Sequence, residues 1–88
     1  MSKNDISISL IKSKVESYIR QAVHVDKEKI NDDSLIFKEG YFDSMGFIML
    51  ITFIEEEFGI KTSDSDLIEE NFESINAITD FIDRKTKS

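Results

Sequence analysis

The feature that most constrains this chain is an apolar residue recurring at steps of three and four in three separate stretches. The strongest is Phe47, Leu50, Ile51, Ile54 and Phe58, one continuous stripe if residues 44 to 58 are helical. Ser44 has the right chemistry to cap this helix, and Gly59 is placed to end it in the left-handed conformation. An earlier stripe, Ile8, Ile11, Val15, Tyr18, Ile19 and Ala22, predicts a first helix that fades near His24, with Asp5 or Ser7 as its cap. A last stripe, Ile75, Ile78, Phe81 and Ile82, predicts a final helix capped by Ser74, with Arg84 and Lys85 suited to its C-terminal end. Between these lies a short helix over roughly Asp64 to Glu70, behind a Thr62 or Ser63 cap, with Leu67 and Ile68 as its buried part. No run alternates with period two for long enough to make a strand.

The segment from Val25 to Asp43 keeps no period, yet Ile30, Leu35, Phe37 and Phe42 are spaced to fold back onto a core. It reads as an ordered loop with a turn near Asn31-Asp32-Asp33-Ser34. The expected fold is therefore all-α: a small four-helix bundle, three main helices plus a short third, with one long ordered loop between helices 1 and 2. At 88 residues this is one domain, its core covering about residues 6 to 84.

Charge narrows the partners. The net charge of −7 disfavours nucleic acid and anionic lipid. From Glu55 to Asp83 ten acids face a single base, Lys61, which gives a solvated acidic surface or one that attracts basic proteins. Glu55, Glu56 and Glu57 crowd a helix C-terminus, where the dipole disfavours them, so solubility or a partner is the expected reason for them. No apolar run is long enough to span a bilayer, and no signal-like segment opens the chain, so a cytoplasmic protein without membrane insertion is expected.

Catalysis is hard to build from this inventory. There is no cysteine, and His24 is the one histidine, which excludes disulfides, thiolate nucleophiles and a zinc site. A nucleophile elbow needs G-x-S-x-G, but Phe42 stands at the first glycine position before Ser44. Nothing argues for His24 lying beside Ser44. Asp64-Ser65-Asp66 begins like a calcium loop, but Glu69 and Ile75 stand where a glycine and a bidentate glutamate are needed. The chain is not expected to be an enzyme or to hold a metal.

Two features invite a functional reading. Ser44, behind Asp43, is either a helix cap or a hydroxyl offered to another enzyme for modification. Met45, Ile48, Met49 and Thr52 fall outside the inward stripe, where an amphipathic helix would carry charge, and their adaptable apolar surface suits a partner. Two readings follow: a modified carrier, or a non-modified acidic helical adaptor that binds partners through the Met45/Met49 face.

The run FKEGYFDSMGFIMLITFIEEEFGI resembles the attachment region of acyl carrier proteins and the related peptidyl or aminoacyl carrier proteins. The resemblance rests on Gly40, on Asp43-Ser44 followed by a large apolar residue, and on an apolar helix closing in Glu-Glu-Glu-Phe-Gly-Ile. It extends through the short third helix to Ile82. It implies that Ser44 receives a 4′-phosphopantetheine arm from coenzyme A through a phosphopantetheinyl transferase, and that Asp43 helps the transferase bind metal and substrate. The arm's thiol then holds an acyl or aminoacyl group as a thioester, which supplies the sulfur that the chain lacks. Met45 stands where the family usually has leucine, a volume-conserving change. Carriers of bacterial fatty-acid synthesis resemble one another in acids on the following stretch, whereas Gly46 to Phe53 is uncharged here. The resemblance thus points to a specialised stand-alone carrier, a monomer loaded by an adenylating ligase and read by acyl-transferring enzymes largely through apolar contact.

Overall fold

The computed structural model describes residues 8–23 and 30–87. Four α-helices make the frame: α1 (Ile8–Ala22), α2 (Ser44–Phe58), α3 (Glu69–Phe72) and α4 (Ile75–Lys87), with a 3-10 turn at Asp64–Asp66 before α3. No strand occurs among the described residues. The all-α bundle of three main helices and one short one is as the spacing predicts. Asp5, Ser7 and His24 lie outside the described residues.

The core is built from the three predicted stripes. Ile11, Val15 and Ile19 of α1, Leu50, Ile54 and Phe58 of α2, and Ile75, Ile78, Phe81 and Ile82 of α4 are all buried in one cluster. Each such side chain contributes roughly 1.5–3 kcal/mol when withdrawn from water. Phe47, Ile51, Tyr18 and Ala22 pack at its edge. Ile8 does not join the stripe and is exposed. Tyr18 lies flat on Phe53 at a centroid separation of 4.2 Å, tying α1 to α2, and burial pushes its phenol up.

Residues 30–43, the described part of the stretch between α1 and α2, are held by a small number of backbone anchors. Ile36 is fully buried, and its N–H donates to the Glu73 carbonyl at 2.9 Å. Its own carbonyl accepts from both Tyr41 and Phe42, at 2.9 and 3.1 Å. Ile30 and Phe42 are buried as expected, but Leu35 is only half-buried and Ile36 takes the central place. The reason is the turn over residues 36–40: Glu39 N–H reaches the Leu35 carbonyl and the Glu39 carboxylate accepts from Leu35 N–H, which turns the Leu35 face outward. The predicted turn at Asn31 is present, closed by Ser34 N–H on the Asn31 carbonyl. Asn76, at the start of α4, reaches back to the Asp32 carbonyl and the Asp33 carboxylate.

The region after α2 departs most from expectation. Leu67 and Ile68 are not its buried part; they are 40% and 45% exposed. In place of one helix over 64 to 70 there are two short pieces: Ser63 and Asp66 cap the start of the first, and the chain leaves it after one turn at Leu67, whose N–H closes on the Asp64 carbonyl, with Ile68 N–H on that of Asp66. The second is pinned by Phe72, fully buried against Phe47 and Phe81. Ser74 caps α4 as predicted, its Oγ accepting from Ala77 N–H at 3.1 Å. Glu55 is also more than a surface acid. Its carboxylate accepts from both the N–H and the hydroxyl of Thr62, at 2.9 and 2.7 Å, which folds the chain back after α2 and holds its pKa down. Glu57 pairs with Lys14 of α1 at 2.7 Å.

Candidate functional site

The start of α2 concentrates the residues of interest. The cap is Asp43, not Ser44: Asp43 has extended backbone, and its Oδ1 accepts from Gly46 N–H at 2.9 Å. The first helical hydrogen bond, Phe47 N–H to the Asp43 carbonyl, closes behind it. Ser44 is therefore the first residue inside the helix, and its exposed hydroxyl has no capping duty. Of the two sequence readings of Ser44, capping is thus removed. The amides of Ser44 and Met45 fall in the first turn, where a helix leaves N–H groups without an intrahelical acceptor. They stand at the positive end of the dipole, a setting that favours a phosphate ester on the Ser44 oxygen.

Two grooves meet at this point. One, of about 550 Å³, is lined by Asp43, Ser44, Phe47 and Ile48 on one side and by Phe37, Leu67 and Glu69 on the others. The other, of about 500 Å³, runs toward α1 between Tyr18, Gln21, Tyr41, Met45 and Met49. Phe42 and Asp43 border both. The first is the groove into which Ser44 opens. Its wall is a set of edge-to-face rings, with Phe37 5.9 Å from Phe42 and 5.5 Å from Phe47. These residues suit a long, flexible, largely uncharged group attached at Ser44, with its anionic end at the helix N-terminus and its length along apolar walls.

The outward face of α2 lies beside it. Met45, Ile48 and Met49 are 64%, 60% and 57% exposed, and Thr52 is exposed with its hydroxyl turned back onto the Ile48 carbonyl at 3.1 Å. The four residues singled out from the sequence thus share one exposed surface within reach of Ser44. Sequence reasoning missed Phe37 and Phe47 as groove walls, because an aromatic residue near a helical stripe reads as core. It also missed the role of Gly46, whose close approach to Phe42 leaves no periodic signal. Among the described residues no group of histidine or acidic side chains is arranged to hold a metal ion, and no helix is long and apolar enough to cross a membrane.

A short helical bundle with a bare hydroxyl at a helix N-terminus and an apolar groove beside it is the build of a carrier for a covalently attached arm. Comparison with known proteins agrees. Residues 13–82 match the family model described as "Phosphopantetheine attachment site". The chain is similar to the acyl carrier protein of Thermotoga maritima, 31% identical over 73 residues that cover 83% of this chain and 88% of that protein. It is also similar to those of Buchnera aphidicola subsp. Baizongia pistaciae (33% over 72 residues, 82% and 90% covered) and Thermosynechococcus vestitus (30% over 77 residues, 88% and 93% covered). The chain belongs to the phosphopantetheine-attachment family and is a distant homologue of acyl carrier proteins. It is a phosphopantetheine-bearing carrier, a member of a non-catalytic family, whose general partners are a phosphopantetheinyl transferase and acyl-handling enzymes.

Proposed function

We propose that Ser44 is the attachment residue and that this cytoplasmic carrier holds an acyl or aminoacyl group as a thioester on the arm. The observation that carries the reading is the position of the Ser44 hydroxyl: exposed, in the first turn of α2, relieved of capping by Asp43, and opening into an apolar groove. Asp43 then serves twice, as cap and as a carboxylate that the transferase recognises beside the serine. The same surface is where partners dock, on Met45, Ile48, Met49 and Thr52. Because residues 46–53 carry no charge, a docking enzyme meets mainly apolar surface, and this supports a loading enzyme of the adenylating ligase class.

The test is intact mass before and after incubation with coenzyme A, magnesium and a broad-specificity phosphopantetheinyl transferase. One phosphopantetheine on the wild type and none on folded Ser44→Ala is the expected result. Modification that persists in Ser44→Ala overturns the assignment of the residue. A folded wild type that takes no arm leaves the unmodified adaptor, acting through the Met45/Met49 face, as the better account.

A further inference from the structure

We propose that Phe47 and Phe72 close the floor of the groove beside Ser44, so that the carried group stays at the surface and only its first few carbons find apolar cover. This rests on Ser44 bearing the arm. Phe47 is at once a wall of the groove and the outermost of three interlocked rings. Behind it Phe72 lies at a centroid separation of 5.4 Å and an interplanar angle of 77°, and Phe81 packs in turn on Phe72 at 4.9 Å and 62°. Edge-to-face rings at such separations have their atoms in van der Waals contact. Phe72 is fully buried and Phe81 nearly so. The route from the groove toward the core is therefore occupied by ring, and a polymethylene chain would have to displace a buried phenylalanine to enter.

The groove's own dimensions point the same way. Its volume of about 550 Å³ lies inside the ~300–1,000 Å³ range of small-ligand pockets, and it must accommodate the arm as well as the cargo. A short apolar group finds Phe47 and Leu67 to lie against. A longer one runs out past Leu67, which is itself exposed, into water. The charged residues on the groove's rim are Asp43 and Glu69, both acids. A cargo ending in a carboxylate meets like charge on both, and a neutral group does not.

The test uses the full chain, with acetyl, butyryl, hexanoyl, octanoyl and dodecanoyl groups transferred to it as acyl-phosphopantetheine from the matching acyl-coenzyme A. Intact mass confirms loading. The rate of thioester cleavage by hydroxylamine is then divided into that of the same acyl-coenzyme A to give a protection factor. A chain withdrawn from water into the core would gain about fourfold protection per added methylene. The expected result is that protection gained from acetyl to hexanoyl levels off, rising less than about twofold from hexanoyl to dodecanoyl. Amide chemical shifts should change at Phe47, Ile48 and Leu67 and stay fixed at Ile54 and Ile78. Phe72→Ala should open the floor and raise octanoyl protection by about tenfold. If Phe72→Ala does not fold, Phe47→Leu, at a half-buried site, is the second variant and should give a smaller rise.

Protection that keeps climbing with length in the wild type, with shifts at Ile54 and Ile78, overturns the proposal. So do shifts confined to Tyr18 and Gln21 in the groove facing α1. Failure to load any acyl group at Ser44 is a different outcome: it removes the attachment reading itself.

Discussion

Gly46 and the ring of Phe42 are in direct contact: a Cβ placed on Gly46 would stand 2.9 Å from Phe42 Cδ2 and 3.4 Å from Cγ. Phe42 borders both grooves that meet at Ser44, and it is buried with its ring edge-to-face with Phe37, so it has little room to retreat. Glycine two residues after Ser44 is therefore what lets the loop's last aromatic residue seal against the first turn of α2. Gly46→Ala should accordingly destabilise the fold by about 1 kcal/mol: the overpacking cost of about 1–3 kcal/mol exceeds the gain of up to about 1 kcal/mol from replacing a helical glycine. Urea unfolding measures it, and a variant more stable than wild type would show that the Phe42 ring moves freely.

Asp43 and Ser44 should separate in stability. Asp43→Ala removes the cap on Gly46 N–H and should cost about 1 kcal/mol. Ser44→Ala removes an exposed hydroxyl with no capping role and should stay within about 0.5 kcal/mol of wild type. Thermal unfolding of both variants decides between this arrangement and one in which the serine caps the helix.

Phe72 and Leu67 should also behave oppositely. Phe72→Ala empties a fully buried site between Phe47 and Phe81 and should cost about 3–5 kcal/mol. Leu67→Ala, at an exposed position, should change stability by less than about 0.5 kcal/mol. Equal losses in chemical denaturation would return Leu67 to the core.

Acid should loosen the segment between α2 and α3. Lys85 Nζ donates to Asp66 Oδ2 at 2.8 Å, and together with the Ser63 N–H it lowers the Asp66 pKa from 3.8 to about 2. A depressed carboxylate stabilises the folded chain at pH values above its unfolded pKa, and that contribution is lost as pH falls through the folded one. The loss should fall between about pH 4 and about pH 2. Lys85→Met should lower stability at neutral pH and flatten the decline in that window. Parallel acid titrations of the unfolding midpoint, wild type against variant, give the comparison, and identical slopes would show that the pair is not coupled to folding.

Met49→Glu should leave the fold unchanged and slow loading by a partner enzyme, since it places charge in the middle of an exposed apolar surface without touching the core. Loading rate against unfolding midpoint separates the two effects. A normal loading rate would move the docking surface elsewhere.

The three long helices were legible because each repeats one apolar face over three or four turns, and the stripes named from spacing, Ile8 apart, became the core and its edge. The Gly59 ending and the Ser74 cap were legible for a similar reason: their chemistry is local, with Gly59 at φ 65° in the left-handed region. What escaped was decided over longer distances. Leu67 and Ile68 look as apolar as Phe72, and it is Phe72 that packs between Phe47 of α2 and Phe81 of α4, neighbours that are distant in sequence. Ile36 outranks Leu35 because its backbone meets Glu73, a partner that no spacing rule reveals. At the start of α2, Asp43-Ser44 was legible as the helix boundary, but which of the two caps the helix depends on backbone angles. The grooves themselves are a property of packing, and pattern alone does not show them.

The anchoring of Ile36 by Glu73, and of the Asp32 carbonyl by Asn76, has a bearing on timing. Ser44 lies in the first half of the chain, yet the loop that delivers it is fastened by residues that leave the ribosome some thirty positions later. A nascent chain that has exposed Ser44 alone has no α4 against which to set the approach to α2, and domains fold as units once their parts are present. If Ser44 bears the arm, a truncation before Glu73 should present the serine sequence without the folded approach to α2, and should take up phosphopantetheine more slowly than the full chain.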